Sequence, residues 1–359
     1  MLPYFTEKFG NASSNTYPLG WQADEAVKQA RVAMAKIFNC EPNELIFTSG
    51  ATESCNLAIK GVYERYATKG NTIITSPSEH KAVLATYEHL EKNGANCVWT
   101  KIDNNGRIDL EDLEQKINDK TILVSVMYAN NETGILQDIQ AIGEICRRRK
   151  TLLFCDATQA VGKLPIDLQV LPIDLMAFSA HKFYGPKGIG GLFVRRKNPR
   201  VSLTRIQDGG NQEHNLRAGT LNVPAIIGMA EALRISNDDL STERIRLENL
   251  RYFFEVKLSQ LGIPMFIVGD GAPRLCNTSS ISFKGIKAEK ILSKLNTEIS
   301  FSLGSACNAS DNKPSHVLSA YQLDTATIES TMRFSFGKYT TIEDVNKTVE
   351  YLKRAINSI

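Results

Sequence analysis

Short apolar runs recur along the first half of the chain, at Leu45–Thr48, Thr72–Thr75, Cys97–Ile102, Thr121–Tyr128, Thr151–Cys155, Leu175–Phe178 and Ile189–Val194. Each has the length and the β-branched or aromatic content of a buried strand. Helical spacings lie between them. Val27, Ala30, Met34, Ile37 and Phe38 fall on one face of a predicted amphipathic helix, and Ile139, Ile142, Ile145 and Cys146 on one face of another. Strands alternating with helices predict an α/β fold with a mostly parallel sheet covered on both sides. The polar stretch Ser236-Asn237-Asp238-Asp239 interrupts the pattern. It divides an expected large domain, residues 1–238, from a smaller α+β domain, residues 239–359. The smaller domain shows strand-like runs at Ser279–Phe283, Ile299–Leu303 and Met332–Phe336. It closes on a helix with Val345, Val349, Leu352 and Ile356 on one face.

Composition narrows the class. A chain of 359 residues suits two domains or one large α/β domain with an appendage, and 42% hydrophobic with 23% charged residues is the balance of a globular protein. A net charge of +3 is too small for a nucleic-acid footprint. The one dense basic run, Arg147-Arg148-Arg149-Lys150, ends a predicted helix, where cations suit the dipole. Seven cysteines with no CxxC pair argue against a disulfide framework and a zinc site, so no metal is expected. No run is apolar enough to span a bilayer, and the first residues lack a signal-peptide layout, so a cytoplasmic protein with no membrane partner is expected.

The candidate chemistry lies at strand ends. Lys182 follows Leu175–Phe178 and opens a glycine-rich turn, Phe183-Tyr184-Gly185-Pro186-Lys187-Gly188. Most lysines are solvated surface groups, but one held among small and polar residues can bind a carbonyl cofactor as a Schiff base. Asp156 strengthens that reading. It ends another apolar run 26 residues earlier and can pair with the pyridine nitrogen of pyridoxal phosphate, keeping the ring an electron sink. Gln159, one turn on, can donate to the phenolic oxygen. The junction Ile46-Phe47-Thr48-Ser49-Gly50-Ala51-Thr52-Glu53 offers amides and hydroxyls to a phosphate. Open α/β sheets bind ligands at such carboxyl ends.

These motifs together resemble the IscS/NifS-type cysteine desulfurases, pyridoxal phosphate enzymes of the class V aminotransferase group and of fold type I. The resemblance runs from about Phe9 to the end. It covers 50–61 (GATESCNLAIKG), 78–84 (SEHKAVL), 130–134 (NNETG), 156–168 (DATQAVGKLPIDL), 179–190 (SAHKFYGPKGIG), 216–222 (LRAGTLN), 304–307 (GSAC) and 333–337 (RFSFG). So many ordered matches are specific, whereas a lone SxHK would not be.

The resemblance implies that His80 stacks on the ring and moves protons, against the plainer reading of a histidine at a helix start. Asn131 would hold the phenolic oxygen or the substrate carboxylate. Arg333, otherwise an arginine on an edge strand, would grip that carboxylate through two parallel bonds. Phosphate would be bound by Ala51, Thr52, Ser179, His181 and Thr220, the last reaching into the neighbouring protomer's site of a homodimer. The stretch Asp208-Gly209-Gly210-Asn211-Gln212-Glu213-His214-Asn215 departs from the family's glycine-rich pattern in what is expected to be a loop.

Cys307 lies in Leu303-Gly304-Ser305-Ala306-Cys307-Asn308-Ala309-Ser310, a polar, small-residue stretch without apolar period. A thiolate on a movable loop can take sulfur near a cofactor and present it to an acceptor. The other six cysteines read as packing. The implied function is conversion of L-cysteine to L-alanine with a persulfide on Cys307. The sulfur would pass to an acceptor protein of iron–sulfur scaffold assembly, tRNA thiolation or DNA phosphorothioation. The family's opening strand and Ala-Thr-Thr-Pro-like turn do not precede Phe9, which leaves a sulfur-carrier or partner-binding subunit as one alternative. A selenocysteine lyase or another enzyme of the same fold is the other.

Overall fold

Seven strands form the larger sheet: β1 (Leu45–Thr48), β2 (Thr72–Thr75), β3 (Asn96–Trp99), β4 (Thr121–Met127), β5 (Leu152–Asp156), β6 (Leu175–Ser179) and β7 (Gly190–Val194). They belong to a computed structural model that describes residues 1–303 and 314–359. Their order is β1-β7-β6-β5-β4-β2-β3. All but the edge strand β3 are buried along their whole length, so helices cover both faces. That is why these strands read as unbroken apolar runs instead of alternating ones. The pairs from β3 through β2, β4 and β5 to β6 are parallel. β7 runs antiparallel between β6 and β1, a reversal that the apolar pattern does not announce.

The helices of this unit are α1 (Pro18–Phe38), α2 (Ala51–Arg65), α3 (Lys81–Lys92), α4 (Leu110–Lys116), α5 (Ile139–Arg148) and α6 (Val223–Asp238). Val27, Ala30, Met34 and Phe38 of α1 are buried, as their spacing predicts, and α1 packs on α6. Asn39 ends α1 in the left-handed region with φ 53°, a common role for asparagine. Ile139, Ile142, Ile145 and Cys146 are all buried on α5, which Asp138 caps through the Ala141 amide.

The chain divides into two compact units. The first comprises Met1–Thr100, Leu110–Tyr128 and Gln137–Leu240; the second comprises Lys101–Asp109, Ala129–Leu136 and Ser241–Ile359. The second unit has an antiparallel sheet of β8 (Met265–Ile267), β9 (Thr278–Phe283), β10 (Ser302–Leu303) and β11 (Thr331–Ser335), ordered β10-β11-β9-β8. Its helices are α7 (Leu240–Ser259), α8 (Ala288–Leu295), α9 (His316–Ala320), α10 (Thr325–Glu329) and α11 (Ile342–Asn357). Phe254 meets Phe334 and Phe336 with ring centroids 4.9 and 5.5 Å apart, against the buried Val345, Val349 and Leu352 of α11.

The two inserted segments are knitted into this core. The Leu136 amide donates to the Pro273 carbonyl and the Leu275 amide to that of Gly134, both at 2.8 Å. Gly106, with φ 75°, approaches Tyr321 so closely that a Cβ there would fall 2.2 Å from the ring. Among the described residues no helix is long and apolar enough to cross a membrane.

Candidate active site

Strand register gathers the first group of residues. Thr48 at the end of β1 is opposite Gly190 at the start of β7, and Gly190 is opposite Ser179 at the end of β6. In the next strands Asp156 pairs with Ala177 on one side and Met127 on the other. The carboxyl ends of β1, β6, β5 and β4 therefore form one rim, and the antiparallel β7 begins within it.

The β1–α2 junction is tight. A Cβ on Gly190 would fall 2.7 Å from the Gly50 Cα, and one on Gly50 would lie 3.4 Å from Ser179 Oγ. Gly50 starts α2 without a capping side chain, so among the described residues the first-turn amides of Ala51 and Thr52 have no helical or side-chain acceptor at this end. Ser179 Oγ is 2.9 Å from His181 Nδ1. Burial, then the neighbouring Lys182 and Lys187 cations, lower the His181 pKa. The phosphate candidates of the β1–α2 and β6 segments thus stand together. Lys182 closes the short 3-10 turn Ala180–Lys182 and is exposed. The chain then folds back, with the Gly185 amide on the Ala180 carbonyl at 2.9 Å and Tyr184 in the left-handed region at φ 67°. A bulky residue there is unusual and marks local strain.

Asp156 is 5% exposed. Its Oδ1 accepts from the Thr158 amide at 3.0 Å and hydroxyl at 2.5 Å; its Oδ2 meets the Cys55 thiol at 4.0 Å. Gln159 Oε1 accepts from Lys163 at 3.3 Å, which leaves the Nε2 as the donor end of that side chain. His80 Nδ1 accepts from the Ala82 amide at 3.1 Å and so caps α3. His80 therefore starts α3 as its plain reading has it, with Nδ1 as the capping acceptor.

Two neighbours of this group carry no signal that sequence reasoning used. Glu79, inside the SEHK motif, is 1% exposed and accepts the Met127 amide at 2.8 Å. Burial pushes its carboxyl well up against that bond, and Asp156 adds to the rise. Cys55 is fully buried beside Asp156 and reads in the sequence only as an apolar helix position.

The second unit brings together Asn131, Glu132 and Arg333. Arg333 Nη1 donates to the Asn131 carbonyl at 2.7 Å and Nη2 to Ser302 Oγ at 2.9 Å, while its buried Nε has no partner among the described residues. Asn131 thus contributes its backbone oxygen, and Asn130, which the sequence reading passed over, shapes the turn. Asn130 Oδ1 accepts the Glu132 and Thr133 amides at 2.8 and 3.1 Å. Glu132 Oε2 accepts from Ser315, which caps α9.

Thr220 is exposed in the segment leading to α6. Cys307 lies outside the described residues. The other six cysteines are buried or half-buried. Burial, then acidic neighbours, push the thiols of Cys40 and Cys97 up to about 12 and about 11. Burial raises the thiols of Cys55, Cys146 and Cys155 as well.

The chain is 46% identical over 359 residues to cysteine desulfurase IscS of Neisseria meningitidis serogroup A, covering all of this chain and 88% of the relative. Among solved structures, it is similar to a NifS-like protein with TM-score 0.92 and 35% identity, covering 100% and 94% of the two chains. It is also similar to SspA in complex with cysteine, with TM-score 0.81, 32% identity and 94% of each chain. The family model described as aminotransferase class-V matches residues 1–348, and the chain belongs to that family.

Proposed function

We infer that this chain is a pyridoxal phosphate-dependent cysteine desulfurase. The full-length likeness to enzymes of that name carries the reading, and the strand-end group fits the cofactor. Asp156 Oδ2 keeps lone pairs for a cationic ring nitrogen, and uncapped amides await a phosphate beside Ser179 and His181. No observation favours a lyase of another specificity or a subunit without turnover.

Lys182 would hold the cofactor through its ε-amine and, released from it, move a proton at Nζ. Asp156 would face the pyridine nitrogen, Gln159 Nε2 the phenolic oxygen, and His80 would stack on the ring and exchange a proton at Nε2. Ala51, Thr52, Ser179, His181 and the Thr220 of a second protomer would bind the phosphate. Bound there, the cofactor supplies an electron sink that loosens bonds next to the substrate amine. Asn131 and Arg333 would orient the carboxylate of L-cysteine. The Cys307 thiolate would attack the substrate sulfur; the carbon–sulfur bond breaks, the carbon takes a proton, and alanine and a Cys307 persulfide result.

The remaining readings follow the same lines. Residues 1–238 would serve the cofactor and 239–359 would carry the reacting cysteine. A sulfur-acceptor protein would receive the persulfide sulfur. An odd number of cysteines without a CxxC pair supports a cytoplasmic setting.

The test is direct. Purified protein loaded with pyridoxal phosphate should absorb in the visible range and release one alanine per sulfur transferred from L-cysteine. A loaded protein that leaves L-cysteine unchanged would end the desulfurase reading.

A further inference from the structure

The segment from Gln207 to Thr220 is pinned twice to the β1–α2 region. Glu213 is buried, its Oε1 2.5 Å from Arg31 Nη2 and its Oε2 accepting the Phe47 amide at 2.6 Å. Four residues on, Arg217 Nε donates to Glu53 Oε1 at 2.8 Å, and Nη2 lies 3.5 Å from Oε2. Glu53 Oε2 also accepts the Ser49 amide at 2.7 Å. Within the segment, Gln207 Nε2 donates to the Ala218 carbonyl at 3.1 Å and the Gly219 amide to Gln212 Oε1 at 3.0 Å. Arg217 is therefore delivered by a braced loop, with side-chain exposures of 22% for Arg217 and 17% for Glu53.

Glu53 is the one acidic residue in the first turn of α2. A carboxylate there suits the helix dipole, yet the same turn offers the Ala51 and Thr52 amides. Two anions at one partly desolvated helix start repel each other. We propose that Arg217 is a positioning residue of the cofactor site, pairing with Glu53 to cancel that carboxylate so that the phosphate of pyridoxal phosphate can bind at α2. The proposal rests on the cofactor reading above. It gives the LRAGT segment a role within its own protomer, separate from any reach of Thr220 into a neighbour.

The charge state fits the pairing. Burial alone would raise the Glu53 carboxyl, but the bonds from Arg217 and Ser49 outweigh it and the pKa is lowered, so the group is an anion that needs a counter-charge.

A loop brace and a charge canceller make different demands on the pair. A brace needs both partners, so losing either does equal harm. A canceller is needed only while the carboxylate is present. Cofactor release is followed as decay of the visible band after dilution of the loaded protein into a trap for free pyridoxal phosphate. The variants are Arg217→Gln, Glu53→Gln and the double variant. Arg217→Gln should release cofactor about tenfold faster than the parent or more. Glu53→Gln should stay near the parent, and the double variant should match Glu53→Gln. Equal losses in both single variants with no recovery in the double would overturn charge cancellation. So would unchanged release in all three. Should Arg217→Gln not fold, the double variant still decides, because fast release from it beside slow release from Glu53→Gln overturns the proposal. A parent protein that never acquires the visible band would instead overturn the cofactor reading.

Discussion

The two units assemble their polar groups in different ways. In the first, adjacent strands with fixed register set Thr48, Ser179, Asp156 and Met127 along one rim, and each of the three polar residues ends its own strand. In the second, Arg333 on β11 is held by Asn131 and Ser302, from an inserted segment and an edge strand. Strands buried on both faces can hardly slip, so the first arrangement suits a cofactor whose ring must stay fixed. An arginine fixed through two bonds, with Nε and its remaining hydrogens for a ligand, suits a carboxylate that comes and goes.

That division can be broken by experiment. Lys182→Ala should remove the visible band and lower turnover by about a hundredfold to ten-thousandfold, the range for losing a positioned proton-transfer group. Survival of the band would displace the cofactor from the rim residues. Cys307→Ser should abolish alanine release while leaving the band in place. Mass spectrometry after brief exposure to L-cysteine should find extra sulfur on the Cys307 peptide of the parent alone; sulfur on Cys155 or Cys276 would refute the assignment.

Smaller effects sharpen the contrast. Arg333→Gln should raise KM for L-cysteine roughly 10–100-fold, as loss of a charge-assisted carboxylate contact worth about 1.5–3 kcal/mol implies, with the band unchanged. An altered cofactor spectrum would show that the second unit shares in holding the ring. The least disruptive test is alkylation. Cys40 and Cys97, with pKa values of about 12 and about 11, are thiols at pH 7.5, so iodoacetamide should label Cys307 first. Labelling of Cys40 and Cys97 should gain as pH rises toward those values, and prompt labelling at neutral pH would contradict their burial.

Much of the first unit was legible because burial leaves a direct mark on sequence. Leu45–Thr48 and Thr72–Thr75 are strands with the bounds their apolar runs predict. The Asp156 and Lys182 segments end strands as expected. Less legible was what each side chain does besides its proposed chemistry: His80 caps α3 and Gln159 takes a bond from Lys163. Such double use depends on a single hydrogen bond and leaves no periodic signal. Glu213 lies in a stretch that reads as a polar loop, yet it is buried on Arg31, because an ion pair lets a charged residue leave water.

The sequence by itself determined the element types, the alternation behind a parallel sheet and the order of the family's motifs, since all three are local and depend on spacing and side-chain chemistry. Only the tertiary structure decided that β7 reverses, that 129–136 joins the second unit, that Glu79 and Cys55 flank Asp156, and that Arg217 meets Glu53. The last of these contacts alone joins residues 164 positions apart. Such facts are fixed by strand register and by the need of buried charges for partners, which no window along the chain contains.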